Sequence, residues 1–475
     1  MSIPIAFARG DGIGPEIMEA VLHILKEAGI PLELHEVEIG EKVYNRGIAT
    51  GMAPETWDVL RNTKAFLKAP ITTPQGGGFK SLNVTVRTTL GLYANVRPCI
   101  SYSPFIKTKH PDMNVVIVRE NEEDLYAGIE YRQTPEICTS IKLISEPGSE
   151  KIVRYAFEYA RANGRKKVSC FTKDNIMKLS DGLFTRVFLE VAKEYPDIEH
   201  EHWIVDIGAA KLADTPENFD VVVLPNLYGD ILSDVAAQIS GSVGLAGSAN
   251  IGDHGAMFEA IHGSAPRRAG QNMANPSGLL FGSLLMLQHL GLGEMAENIH
   301  NAWLKTVEEG IHTYDIFVEG TSKEKVGTKE FAEAIVKNLG MRPEQLKCAA
   351  YSKEKKGFKK PHLKTIETKR ELVGVDVYFY AKTTLSDFVE KMKDEGHGNL
   401  KVQMMTNRGA RIYPHGQPET FCTDQWRCRF TTGGSCTQKE ISDLYAKLSD
   451  AGHDIIKTEN LYSFDGSLSY SHAEK

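Results

Sequence analysis

Two aspartates four residues apart, Asp230 and Asp234 in NLYGDILSD, follow directly on the apolar run VVVLP. Residues at i and i+4 lie one above the other on a helix face, where like charges repel weakly. A divalent cation between the carboxylates would turn that repulsion into binding. Two separately solvated aspartates near a helix start, tolerated by its dipole, fit the same spacing. A second set is cationic. KSLNVTVRTTLGLYANVRP carries Ser81, Asn83, Arg87 and Arg97, and VIVRENEEDLYAGIEY adds Arg119 and Tyr126. Guanidinium forks grip carboxylates in bidentate fashion, so three converging arginines would suit a substrate with several carboxylates; taken singly, each reads first as a surface ion pair. A third set is the loop HGSAPRRAG, His262 to Gly270, whose Arg267 and Arg268 would neutralise a phosphate or simply form a basic turn. One motif fails. In FARGDGIGPE the glycines Gly10, Gly12 and Gly14 alternate, and Pro15 stands where the third glycine of a dinucleotide loop belongs. That segment reads as a tight turn with proline at the first helical position.

These groups need a scaffold of alternating strands and helices. PIAFA, AFLKAP, NVVIVRE, KVSCFTK and FDVVVLP predict strands, and PEIMEAVLHILKEAG, EKIVRYAFEYARANG and GLLFGSLLMLQHLG predict helices. The alternation runs to about residue 340 and implies an α/β architecture. A basic run follows, Lys353 to Arg370, with eight basic residues against two acidic, and reads as a solvated linker. Beyond it the order β-α-β-β-α-β, from ELVGVDVYFYA to NLYSFDGSLSY, is the ferredoxin-like arrangement of an independent α+β domain.

Composition narrows the class. A chain of 475 residues holds several domains. Its net charge of -7 argues against a general nucleic-acid partner and suits an enzyme of small molecules. No apolar run approaches the ~20 residues of a membrane span, and MSIPIAFARGDG lacks the pattern of a signal peptide. Seven cysteines without a CxxC pair indicate a reducing compartment, so a cytoplasmic location is expected. His415, Cys422, Cys428 and Cys436 lack the close pairing of a structural zinc site.

GDGIGPE, TTPQGGGFKSLNVTVR, VRENEEDLYAGIEY, FTKDNIMKLSDG, NLYGDILSD and HGSAPRRAGQNMANP, in this order over residues 1 to 340, resemble the β-decarboxylating dehydrogenases. The likeness is strongest to the NADP-dependent isocitrate dehydrogenases, in their larger bacterial form with an extra C-terminal domain. The resemblance implies a two-domain isocitrate/isopropylmalate dehydrogenase-like α/β fold, not a classical Rossmann one. A large domain would span 1–92 and 241–340. A small domain would span 93–240, with an intersubunit clasp near 126–145. A linker over 341–370 and a C-terminal domain over 371–475 would follow. It also implies a homodimer whose active sites are shared between subunits.

Residue by residue, it implies Tyr126 and Lys173 as catalytic. Ser81, Asn83, Arg87, Arg97, Arg119 and Asn175 would bind substrate. Thr73, His262, Gly263, Ser264, Ala265, Pro266, Arg267, Arg268 and Asn275 would contact the cofactor. Asp230 and Asp234, with Asp206 from a second chain, would hold Mg²⁺ or Mn²⁺. The reaction implied is hydride transfer from isocitrate to NADP, loss of carbon dioxide, and protonation of the resulting enol by Tyr126, which gives 2-oxoglutarate in the tricarboxylic acid cycle. Arg267 and Arg268 favour NADP, since an acidic residue there would repel a 2′-phosphate; many NADP-using members instead carry Lys-Tyr at this place. Polar Ser81 and Asn83 favour isocitrate over 3-isopropylmalate, whose isopropyl group would leave them unmatched. Homoisocitrate and tartrate dehydrogenases, and a non-catalytic regulatory subunit, are the alternatives.

Overall fold

The computed structural model describes residues 2–48, 50–73, 81–351 and 367–471. Most of the expected basic linker, at 352–366, lies outside them, as does 74–80 of the glycine-rich segment before Ser81. The chain divides into two compact units: Met1–Ala127 with Leu143–His362, and Gly128–Lys142 with Leu363–Lys475.

Twelve strands precede residue 261: β1 (Ile3–Ala8), β2 (Leu32–Glu36), β3 (Phe66–Lys68), β4 (Ala94–Ile100), β5 (Asn114–Glu120), β6 (Glu130–Arg132), β7 (Cys138–Ser140), β8 (Lys167–Thr172), β9 (Glu199–Ile204), β10 (Val221–Leu224), β11 (Gly247–Ile251) and β12 (Ala256–Ala260). In the first unit ten of them form one sheet in the order β2-β1-β3-β12-β11-β4-β5-β10-β8-β9. Its outer pairings are parallel, whereas β4 runs antiparallel to both β5 and β11, and β11 to β12. β10 reads VVVL and is buried throughout, as a parallel strand covered on both faces must be. The helix Ser277–His289 is apolar nearly all round because it is buried against β11 and β12. Gly247 on β11 allows that contact, since a Cβ there would lie 2.3 Å from the Gly282 nitrogen.

GDGIGPE forms the expected turn and opens the helix Gly14–Glu27 with Pro15 in its first turn. Gly12, at φ +60°, is forced: a Cβ would lie 2.0 Å from the Ser264 carbonyl oxygen. Ile13 N donates to that same oxygen at 2.8 Å, so this turn braces the HGSAPRRAG loop.

In the second unit the strands Arg370–Tyr380, Leu400–Asn407, Gln425–Thr431 and Asp454–Phe464 pair antiparallel, with the first strand between the third and the fourth. The helices Leu385–Met392 and Gln438–Asp450 bury Phe388, Ile441 and Leu444 in a core with Val375, Val377 and Trp426. This is the ferredoxin-like order. Cys428 sits in that core. The β6–β7 hairpin belongs to the same unit: Thr134 Oγ1 donates to Asp424 Oδ1 at 2.5 Å, and Asp424 N donates to Glu136 Oε2 at 3.0 Å.

Candidate active site

Three arginines from three elements converge. Arg87 comes from the helix Leu82–Thr89, Arg97 from β4 and Arg119 from β5, and all three are buried. Arg97 and Arg119 have partners on the helix Asn226–Ile239, which leaves the end of β10. Arg119 donates to Asn226 Oδ1 from Nε at 3.0 Å and from NH2 at 2.7 Å, and pairs with Asp230. Arg97 donates to Ser233 Oγ at 2.5 Å and lies 3.5 Å from Asp230 and 3.6 Å from Asp234. Gly229 makes room, since a Cβ there would sit 2.6 Å from Arg119 Cγ. The phenol of Tyr126 donates to Asp230 Oδ2 at 2.5 Å, under a guanidinium 4.8 Å above its ring.

The charge balance is positive. Burial, then the repulsion of Arg97 and Arg87, lowers the Arg119 pKa to about 9. Burial pushes the Asp230 carboxyl up, but Arg119 and Arg97 overrule it and hold it below the usual carboxylate range. Asp234 moves the other way, raised by burial and by Asp230 against the pull of Arg97. Burial and the bond to Asp230 raise the Tyr126 phenol.

Arg87 turns to a group the sequence reading missed. It donates to Glu259 Oε1 at 2.8 Å, and Lys68 Nζ lies 2.7 Å from Glu259 Oε2. Burial drives that carboxyl up, but Lys68 and Arg87 hold it well below its ordinary range. A cavity of about 70 Å³ is lined by Asn83, Arg87, Arg97, Lys68, Glu259 and His262, among others. Among the described residues Asn83 Oδ1, Arg87 Nε and His262 Nε2 are buried there without a hydrogen-bond partner. Buried polar atoms are rarely left so, and a ligand would satisfy them. Ser81, at the start of its helix, accepts from Thr73 Oγ1 at 3.4 Å.

His262 also lines a larger cavity of about 380 Å³ with Gly263, Ala265, Arg268, Asn275, Tyr314 and Asp315. Arg268 stacks 4.7 Å over the Tyr314 ring and contacts its hydroxyl, and both Arg267 and Arg268 are exposed. Asp315 accepts from Asn275 Nδ2 at 3.0 Å and from Ser242 Oγ at 2.6 Å. Thr72 and Ser264 share a hydroxyl contact of 2.9 Å, which ties the Thr73 segment to the loop. Burial lowers the His262 pKa, which favours a neutral ring. Tyr314 and Asp315 carried no motif of their own. Only the fold brings them to the loop.

Lys173, Asn175 and Asp206 stand elsewhere. Lys173 Nζ lies 2.5 Å from Asp206 Oδ1, and this pair lowers the Asp206 pKa. Both line an open groove of about 350 Å³ with Tyr228, Ile231 and Leu232. At roughly 100° per residue, these three fall on the side of their helix away from Asn226, Gly229, Asp230 and Ser233. Asn175 is exposed near Lys173. Among the described residues no three His, Cys, Asp or Glu side chains group around one point. One chain therefore carries two separate clusters: an arginine cradle with two carboxylates, and a lysine-aspartate pair. The oxygen-only donors Asp230 and Asp234 suit a hard divalent cation, which needs further oxygens to complete its shell.

The isocitrate/isopropylmalate dehydrogenase family profile matches residues 4–335, and that of the bacterial isocitrate dehydrogenase C-terminal domain matches 370–475. The chain is 54% identical to an isocitrate dehydrogenase [NADP] of Rickettsia bellii, over 99% of both chains. It is 43% identical to the isocitrate dehydrogenase [NADP] of Thermus thermophilus, over 98% of this chain and 94% of that one. A crystal structure of a Thermus thermophilus protein superposes with a TM-score of 0.92 at 43% identity, covering 98% of this chain and 95% of that one. The chain belongs to the isocitrate/isopropylmalate dehydrogenase family and carries the C-terminal domain of its bacterial isocitrate dehydrogenases.

Proposed function

We propose that the chain oxidises isocitrate to 2-oxoglutarate and carbon dioxide with reduction of NADP, supported by Mg²⁺ or Mn²⁺. The observation that carries this reading is the convergence of Arg87, Arg97 and Arg119, whose mutual repulsion calls for an anion of several charges. The polar Asn83 beside them, its Oδ1 without a partner among the described residues, suits a third carboxylate better than an isopropyl arm. The adjoining cavity, with Arg268 on Tyr314, offers a cation to a 2′-phosphate.

Within this site the arginines bind and orient the substrate carboxylates. Asp230 and Asp234 would hold the cation, which supplies charge stabilisation as the enolate forms. Tyr126, hydrogen-bonded beside Asp230, holds the proton that quenches the enol. Lys173 would take the hydroxyl proton, but it faces another groove of its own chain. A homodimer resolves this, with Lys173 of the partner subunit and Asp206 of the partner subunit completing each site. Exposed Ile231 (54%), Ile207 (51%) and Ile176 (70%), on or near the segments bearing the lysine-aspartate pair, are apolar surface that a second copy would cover. The two-stranded β6–β7 ribbon is read as the intersubunit clasp, and the C-terminal domain as a structural module.

Purified protein with NADP, Mg²⁺ and either isocitrate or 3-isopropylmalate tests the reading. At least about a tenfold preference for isocitrate is expected, from 1–3 kcal/mol for burying unmatched polar groups. Equal efficiency on the two acids would overturn it.

A further inference from the structure

Beneath the substrate arginines runs an unbroken line of buried polar side chains. Arg97 Nε donates to Asn95 Oδ1 at 2.6 Å, and Asn95 Nδ2 donates to Asn250 Oδ1 at 2.7 Å. Asn250 Nδ2 then donates to Glu259 Oε1 at 2.8 Å, the same oxygen that receives Arg87 NH2 at 2.8 Å. Asn95 and Asn250 are wholly buried and are register partners on β4 and β11, next to Glu259 on β12. Asn121 Nδ2 reaches the Asn250 oxygen as well, at 3.1 Å.

The ends of this line fix its direction. A guanidinium can only donate and a carboxylate can only accept, so each amide between them has a single satisfying orientation. Arg97 and Arg87 repel one another and come from different elements, yet both are tied to one anion, Arg87 directly and Arg97 through two amides. Arg119 is outside the line, held by Asn226 and Asp230. Building on the isocitrate reading above, we propose that Asn250 is a positioning residue that sets the spacing and aim of Arg97 against Arg87, so that the two forks meet different carboxylates of one substrate. Asn250 touches neither substrate nor cofactor in this role. It acts through Asn95 and Glu259.

The test compares wild type with Asn250→Leu, Asn95→Leu and the double variant, measuring the KM of isocitrate and of NADP separately at saturating Mg²⁺. Each single variant should raise the isocitrate KM by about tenfold or more and leave the NADP KM within about threefold, because only the arginine geometry is disturbed. The double variant should be no worse than about threefold beyond the weaker single one, since a line already cut has nothing more to lose. An unchanged isocitrate KM, a parallel rise in both KM values, or effects that multiply in the double variant would overturn the role. Should Asn250→Leu not fold, Asn250→Ser, which retains a hydroxyl but cannot span both bonds, must show the same split between the two KM values. Wild type that does not turn over isocitrate with NADP would remove the functional reading itself. Active wild type with an undisturbed Asn250→Leu variant would remove the positioning role alone.

Discussion

The Tyr126 hydroxyl donates to Asp230 Oδ2 at 2.5 Å, so the phenol proton expected to quench the enol is hydrogen-bonded to the carboxylate expected to hold the cation. Tyr126→Phe deletes that proton and little else, because the ring keeps its place under Arg119. Turnover of isocitrate should fall by about 10²- to 10⁴-fold, the range for loss of a general acid. Steady-state kcat alongside a melting curve checks this. A variant that melts like wild type and turns over at wild-type rate would move the proton source elsewhere.

The separation of Lys173 from Asp230 within one chain makes a second prediction. In a hybrid of one Tyr126→Phe chain and one Lys173→Met chain, sharing across the interface would give one site with both defects and one with neither. Randomly mixed subunits should then recover about a quarter of wild-type activity, since half the dimers are hybrids with one intact site. Co-expression with two affinity tags isolates the hybrid, which with one intact site in two should show about half of wild-type activity. No recovery in a purified hybrid would mean that Lys173 serves its own chain.

Both Arg267 and Arg268 are exposed, but cofactor choice should depend most on Arg268, which lines the cavity and is held on the Tyr314 ring. Arg268→Glu puts a negative charge where the 2′-phosphate is expected. It should lower kcat/KM for NADP by at least about tenfold and leave that for NAD nearly unchanged. The ratio of the two efficiencies is the measurement.

The sequence reading reached what is local and stopped where the fold has to act. Asp230 and Asp234 are one helical turn apart, so their pairing was legible from spacing. So was the β-α-β-β-α-β order of the C-terminal domain, because each element announces its own period. Convergence of Arg87, Arg97 and Arg119 was not legible, since it depends on β4 and β5 pairing beside β10. Lys68 and Glu259 meet across the β3–β12 pair, and Asn95 meets Asn250 only through the β4–β11 register. In the C-terminal domain the buried Asp376–Arg429 pair, 2.7 Å apart, was likewise hidden on neighbouring strands.

Acid should destabilise the first unit through His300. Its ring packs against Phe281 at 5.2 Å, and Nδ1 lies 2.9 Å from the Tyr351 hydroxyl. Burial lowers its pKa to about 4, against an unfolded value of about 6.5. Between these values the unfolded chain binds a proton that the folded one refuses, so stability falls as pH drops from 6.5 towards 4. The loss from this group should be on the order of 2–3 kcal/mol by about pH 4.5. His300→Gln should remove that part of the slope in urea unfolding across the range, and an unaltered slope would assign the acid sensitivity to other groups.

The hairpin that joins the C-terminal unit offers the last prediction. Asp424 is buried, and it holds Thr134 through its carboxylate and Glu136 through its backbone nitrogen. Asp424→Ala removes the first contact and spares the second. Loss of a buried hydrogen bond to a charged group costs about 1.5–3 kcal/mol. The cost should fall on the hairpin and not on turnover. Amide exchange in residues 128–142 should speed up, the dimer should dissociate at lower dilution factors, and kcat for isocitrate should stay within about twofold of wild type. If the hairpin is the clasp and the C-terminal domain its brace, these changes come together. Faster exchange with an unaltered dimer would leave the domain bracing a hairpin that does not join subunits.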